Sequence, residues 1–576
     1  MNLASRFHAL LPDLAAALAR FPVPALLSVA LTIVINIDSP GSSGQELLIA
    51  AAAAFLAAGS AHLFAEGRGL SRSTNLLLAV AAAAVAGLLG YFAVIFETQY
   101  LFLFAALVPL VMIAPFLHDR ARQGALWLFN LRFGLAALLA AVVALAFAAG
   151  LSAIVGALDF LFGVSVSNTY EHIWATALAL VGPLYGLSLM PRDVVEEVDI
   201  EAQKGTLLER GVSVLVNYVL VPVIVIYALI LHAYAVKIIL EQALPKGNVA
   251  VMVSVFAVGG TGAWLIAWPW RDKGTKLLRL FMRGWFWLTI VPAILLAVAI
   301  WRRIADYGVT PDRYGIAVIA VWVAAVTAYL ALRRNRADMR VILGAMAVLL
   351  LVGSAGPFGA NGLTITTQMA RLQQLLIGNG LLKDGKAISP SSRPAQEVVT
   401  EGYSMIYTLR EAGGLERLRP WFADDAKNPF KAGTDGWSLT NAIAAYFLFD
   451  NPYQTDSIVS LTANRPFASD FTGNVKVLGP FQTMQIYGKD KLQQPMTAVL
   501  DETSLTIKLD TATYRLESKD LLHKVKARIT GSADQPAIAI TIAPDVTMVL
   551  DQLFGDANAA WPINNARFWL VIRSGV

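Results

Sequence analysis

Cysteine is absent from the 576 residues. Disulfides, thiolate metal sites and cysteine nucleophiles are therefore excluded. Histidine is scarce, with six residues at positions 8, 62, 118, 172, 232 and 523, none paired with another at metal-ligand spacing. The chain also lacks the glycine-lysine loop that cradles nucleotide phosphates, the His-Glu-x-x-His of zinc proteases and the Gly-x-Ser-x-Gly of a nucleophile elbow. Neither a metal nor a cofactor is expected. Charge is thin as well: Asp, Glu, Lys and Arg make up 15% of the residues. The last absence is regional. After residue 358 no stretch is long and apolar enough to cross a membrane.

Before that point such stretches dominate. The chain is 57% hydrophobic with a mean hydropathy of +0.60, whereas soluble domains rarely exceed about half apolar. Eleven spans can be drawn, at 22–37, 47–65, 75–96, 100–117, 133–157, 173–190, 211–236, 248–269, 284–301, 314–332 and 341–356. In lipid only a helix satisfies the backbone of such a segment. The expected architecture is a polytopic α-helical membrane bundle of about 11 transmembrane helices over 22–357, followed by a C-terminal extracytoplasmic α+β domain. A helix and linker occupy 358–394, and a soluble domain, helical then β-rich, occupies 395–576. The strand-like runs are Val475–Val477, Thr497–Leu500, Leu505–Leu509, Thr513–Leu516, Ala537–Ile542 and Phe568–Ile572. Residues 1–21 read as an N-terminal interfacial amphipathic segment on the cytoplasmic side.

Charge sets the orientation. With the N-terminus in the cytoplasm, the inner segments hold nineteen basic residues and the outer loops five: Lys237, Lys246, Arg302, Arg303 and Arg313. This asymmetry is the positive-inside pattern. An odd number of spans then carries the C-terminal domain outside. Residues 358–576 hold 21 basic and 21 acidic side chains, so the net charge of +5 resides entirely in the membrane half. It sets topology and implies no nucleic-acid partner. Trp264, Trp268, Trp270, Trp285 and Trp287 flank the basic loop Arg271–Arg283, which predicts rings at headgroup level.

Polar residues inside spans are costly and mark candidate sites. Asn217 and His232 share span seven, Asn36 closes span one, and His62 and Glu66 stand one turn apart in span two. Each reads either as a structural polar group or as part of a proton or transport path. The run Gly259-Gly260-Thr261-Gly262 permits either close helix packing or local unwinding around a substrate. The sharper signal is the charge on the disfavoured side. Lys237 follows Tyr234-Ala235-Val236, and Lys246 lies in Pro245-Lys246-Gly247. Arg302 and Arg303 precede Tyr307-Gly308-Val309-Thr310, and Arg313-Tyr314 follow it. Arginine's planar fork suits carboxylate or phosphate. Lys237, Lys246, Arg302, Arg303, Tyr307, Arg313 and Tyr314 thus form a candidate cluster that either docks the following domain or holds an anion or lipid headgroup.

At these residues the chain resembles a bacterial inner-membrane family, the domain of unknown function 4153. The resemblance rests on Asn217-Tyr218-Val219-Leu220-Val221-Pro222 with Tyr227, Tyr234-Ala235-Val236-Lys237 and Pro245-Lys246-Gly247. It continues through Arg303, Tyr307-Gly308-Val309-Thr310, Arg313-Tyr314, Trp322 and Gly356-Pro357-Phe358-Gly359 with Gln368, Arg371 and Leu372. It implies a multi-pass inner-membrane protein and supplies no catalytic residues. Three classes of function stay open. The leading one is a non-enzymatic cell-envelope protein presenting an exported C-terminal domain. The second is a transporter or lipid-handling protein with its anion site at the outer ends of spans seven to ten. The third, and least supported, is an enzyme acting on a lipid-linked substrate, for which Asp159, Glu171, Asp306 and Asp312 are the available acids. Membrane lipids are expected partners, with an envelope protein or an anionic headgroup beside them.

The charge count makes a direct prediction. Alkaline phosphatase fused after Val576 should be active, and fused after Arg336 inactive, because the enzyme matures only outside the cytoplasm. The reverse pattern would mean that the number of spans is even.

Overall fold

In the computed structural model the described residues are 15–37, 42–93, 97–118, 123–163, 168–191, 207–241, 249–333, 336–424, 428–430, 436–449, 458–463, 475–484, 497–500, 504–509, 512–529, 536–556 and 562–573. The N-terminal segment read as amphipathic lies largely outside them, as do Lys246 and the loop around it. By contact the chain divides into two units, 1–389 with 404–447, and 390–403 with 448–576.

The first unit is helical apart from a short hairpin, β1 (Leu382–Lys383) and β2 (Lys386–Ala387). Up to that hairpin its helices are α1 (Pro22–Ile37), α2 (Ser42–Gly67), α3 (Arg72–Ala93), α4 (Glu97–Ile113), α5 (Gln123–Phe162), α6 (Thr169–Thr176), α7 (Gly182–Ser188), α8 (Leu207–Leu215), α9 (Val221–Glu241), α10 (Val249–Ala267), α11 (Lys276–Tyr307), α12 (Pro311–Arg333), α13 (Met339–Ser354) and α14 (Ala360–Gly378). Eight helical segments among the described residues are long and apolar enough to cross a membrane, and α1 and α13 are shorter apolar helices. Large apolar side chains face outward along them, among them Leu77 at 71% exposure and Leu332 at 85%. Such a surface suits lipid and no aqueous solvent. Helix α5 runs 40 residues, well beyond the 133–157 drawn from hydropathy.

Two helices are interrupted by a single π-turn, Ala177–Val181 between α6 and α7 and Val216–Leu220 between α8 and α9. Each stands just ahead of a proline, Pro183 or Pro222. Proline lacks an N–H and its ring strikes the carbonyl four residues back. The wider turn absorbs both: Gly182 N–H bonds Ala177 O, and Val221 N–H bonds Val216 O, five residues apart. Asn217 sits in the second π-turn. Its Nδ2 donates to Ser213 O at 2.8 Å, and its Oδ1 accepts from Thr275 N at 2.9 Å, at the start of α11. Asn217 is a pin between helices. His232 likewise is satisfied within its own helix, 2.7 Å from Ala228 O.

Segments that the alternation of spans places on one side meet at one end of the bundle. Arg20 donates to both Glu66 oxygens at 2.9 and 2.7 Å and to Met190 O and Pro191 O. Gln123 joins Asp338 and Met339, and Arg340 joins Asp338 and Phe116 O. Burial opposes the charge of Asp338, but hydrogen bonds from Arg340 and Gln123 outweigh it and hold its carboxyl below the usual range. At the other end Asn36 meets His172 at 2.9 Å and Thr176 at 3.2 Å.

Three of the tryptophans around the basic loop face inward. Trp264, Trp270 and Trp285 are buried, while Trp287 is 64% exposed. Trp264 and Trp285 pack between α10 and α11, and Trp270 stands edge-on to Trp127 of α5. Trp264 Nε1 donates to Met282 O at 3.1 Å, and Trp285 lies against Phe256 and Phe281. The glycine run of α10 serves this packing: the helix is unbroken, and a Cβ on Gly260 would lie 1.9 Å from the Trp285 ring.

In the second unit an antiparallel sheet has the order β3 (Ile458–Thr462), β9 (Val546–Asp556), β10 (Ile563–Arg573), β4 (Val475–Met484), with β8 (Ile538–Ala543) on β9. A three-stranded meander, β5 (Thr497–Leu500), β6 (Ser504–Leu509) and β7 (Ala512–Glu517), forms a second sheet whose Leu505 and Ile507 share the same core. Leu521, Leu522 and Val525 of the intervening helix Ser518–Lys526 join Met548, Leu550 and Phe568 in one core.

Gly260→Ala should destabilise the detergent-solubilised protein by about 1–3 kcal/mol through overpacking. Gly259→Ala, with open space around it, should be neutral or slightly stabilising. Equal melting temperatures for the two variants would remove the Trp285 contact from the account.

Candidate functional site

The predicted basic cluster centres on the three residues that join α11 to α12. Helix α11 ends at Tyr307, and Gly308 takes φ 72° while its N–H closes on Ile304 O at 2.8 Å. That positive φ favours glycine. The missing Cβ matters too, because one there would lie 2.8 Å from Gln368 Nε2 and 3.0 Å from Arg371 Cδ. Pro311 then opens α12 at the position where its missing N–H costs nothing.

Helix α14 closes over this turn. Gln368, buried to 2% exposure, donates through Nε2 to Tyr307 O at 3.1 Å and Val309 O at 2.9 Å. Val309 N donates to Thr367 Oγ1 at 3.3 Å. Tyr314 donates to Phe358 O at 2.9 Å, and its ring stands edge-on to Phe102. The turn therefore docks the helix that follows the last apolar segment. Neutral groups do the docking, the side chains of 367 and 368 against main chain.

The arginines are deployed otherwise. Arg313 Nη1 donates to Tyr307 O at 3.1 Å and Gly308 O at 2.9 Å, with its guanidinium 5.4 Å from the Tyr307 ring. The like charges of Arg303 and Arg371 bear on it, and Asp312 acts in the opposite sense. Arg371 lays its stem against Gly308, and its Nη1 is buried without a hydrogen-bond partner. Arg313 and Arg371 thus meet at one turn, and Arg303 on α11 is near enough for its charge to bear on Arg313. Arg302 and Lys237 are instead each paired with an acid one turn along their own helix. Arg302 faces Asp306 at 3.7 Å and Lys237 faces Glu241 at 3.7 Å, all more than half exposed. Such pairs contribute little.

Sequence reasoning overlooked Gln368 and Arg371 as site residues, although both stood in the family pattern. The available signal was their spacing with Leu372 and Leu376, which sets two polar side chains on the buried face of a helix. Of the other candidates, Glu66 is engaged by Arg20, and His62 is buried edge-on to Phe21. Among the described residues no group of three His, Asp or Glu could hold a metal ion.

Gln368→Ala should free α14 from the turn, leaving the Val309 carbonyl without its side-chain donor, at about 1–3 kcal/mol, and Tyr307 O to Arg313 alone. Hydrogen exchange across 307–310 and 360–378 should rise together. Exchange unchanged in both segments would mean that other contacts seat the helix.

The comparisons with known proteins agree with this frame. An uncharacterised protein of Pasteurella multocida (strain Pm70) is 24% identical over 352 residues, covering 58% of this chain and 56% of the relative. The chain therefore spans little more than half the length of that relative. No solved structure matches. The family profile described as a domain of unknown function (DUF4153) matches residues 24–376, from α1 to the closing helix α14. The chain belongs to the family of domain of unknown function 4153.

Proposed function

We propose that the protein is a bacterial inner-membrane protein of eleven spans that holds an anionic phosphate headgroup at the Arg303–Arg313–Arg371 turn, on the outer side. The observation that carries this reading is the convergence of three cations where the docking contacts are neutral. Arg371 has a buried guanidinium nitrogen with no partner, and an unpaired buried donor on a cation is costly. A phosphate oxygen would satisfy it and relieve the repulsion among the three. Arginine's fork matches that ligand geometry. The alternation of the spans supports the sidedness, since the basic loops meet at the opposite end. The same parity carries the C-terminal residues outside, where the bundle serves as their anchor. The partner is then an outer-leaflet anionic lipid, and no chemical step is required of the protein.

An Arg303→Ala/Arg313→Ala double variant should lose anionic lipid on purification by about tenfold or more, since each charge-assisted bond is worth about 1.5–3 kcal/mol. Protease resistance of 380–394 should be retained, because Gln368 and Thr367 still seat α14. Loss of that resistance with bound lipid unchanged would show that the arginines dock the chain instead.

A further inference from the structure

A second feature lies away from that turn. Helices α2, α4, α5 and α7 enclose an apolar cleft of about 320 Å³. Its walls are small. Ala136, Ala140 and Ala144 of α5 recur every four residues, opposite Gly182 and Gly186 of α7, and Gly59 of α2 faces open space. No polar side chain lines it. It opens sideways: Ala137 and Ala141 are exposed, and Leu178 is 58% exposed. All these residues belong to the apolar helical unit, so the medium beyond the opening is hydrocarbon.

One end of the cleft is polar. Met190 lines the space, and its carbonyl accepts from Arg20, whose charge Glu66 already answers. Arg132 is different. It continues the row of Ala136, Ala140 and Ala144 by one turn, beside the lining residue Phe133. A helical side chain leans toward the helix N-terminus, so Arg132 reaches toward the polar end and away from the hydrocarbon. Among the described residues it has no hydrogen-bond or ion-pair partner. A half-buried cation at the end of an apolar slot is complementary to an anionic amphiphile.

We propose that this cleft binds one acyl chain of an anionic phospholipid whose phosphate meets Arg132. The size fits a hydrocarbon chain. An apolar cavity of about 150 Å³ suffices for a benzene-sized guest, so this space takes a longer hydrocarbon. The Arg303 turn has no part in it, and the two sites stand or fall separately.

The test uses the full chain, stripped of lipid in detergent and titrated with phosphatidylglycerol or with diacylglycerol, which lacks the phosphate, with adducts counted by native mass spectrometry. Wild type should carry one phosphatidylglycerol tightly. Gly59→Leu fills the cleft from its open wall and should weaken both lipids by about tenfold or more. Arg132→Gln should weaken phosphatidylglycerol about tenfold and leave diacylglycerol, which has no phosphate, unchanged. Gly134→Leu, at a position with open space outside the cleft, controls for added bulk. Should Gly59→Leu fail to fold, Ala137→Leu and Ala141→Leu fill the cleft from the facing wall. Wild-type binding in all the filled variants overturns the chain site. Equal effects of Arg132→Gln on both lipids overturn the headgroup assignment. An adduct lost in Arg303→Ala/Arg313→Ala but kept in Gly59→Leu places the lipid at the other end, which overturns this proposal and leaves the proposed function intact.

Discussion

Backbone polar groups carried into hydrocarbon must find partners inside their own helix, and the bundle is arranged around that demand. At two of the prolines inside helical segments, 183 and 222, the hydrogen-bond ladder widens by one residue instead of breaking, whereas α4 and α11 carry Pro109 and Pro292 without such a turn. The widened turn leaves a distortion beside it. At the second site the family residue Asn217 uses that distortion to reach Thr275 at the start of α11. A constraint on the main chain thus becomes a contact between helices.

The rest of the helix packing follows from the absence of a hydrophobic drive in lipid. Association must come from close approach and a few polar bonds. Glycines and alanines supply the first, as at Gly260 under Trp285 and at Gly182 and Gly186 against α5. Polar pins supply the second, and they gather near the helix ends: Arg20–Glu66, Gln123–Asp338–Arg340 and Asn36–His172. At the ends water and headgroups lower the cost of an imperfect partner.

Much of this was legible in the residues. Each of the eleven apolar stretches falls on helix, because hydropathy over twenty residues reports a demand that only a helix meets. The strand runs after residue 456 fall on β4 to β8 and β10. Strand β9 was missed although it is the most heavily paired, since a short apolar run such as Thr547–Leu550 reads as helix or strand alike. The inward turn of the tryptophans was hidden for a related reason. Position along the chain gives depth in the membrane but not which way a ring faces, and Trp285 faces inward onto a glycine. The candidate site was half legible. Charge on the disfavoured side pointed to Arg303 and Arg313, but Arg371 and Gln368 lie some sixty residues on, and only folding brings them to Gly308.

The bundle treats its arginines in two ways, and the difference carries functional meaning. Arg20 and Arg340 each have a carboxylate within 2.7 Å, so their charges are neutralised inside the protein and they act as fixed pins. Arg313 and Arg371 turn to carbonyls or to nothing, and Arg132 has no partner among the described residues. Main-chain carbonyls orient a guanidinium without cancelling its charge. A protein that places carboxylates so deliberately at Glu66 and Asp338 had the same means available at the turn, where Asp306 instead goes to the exposed Arg302. The unanswered charge is kept oriented and near the helix ends, the disposition that the proposed phosphate site requires.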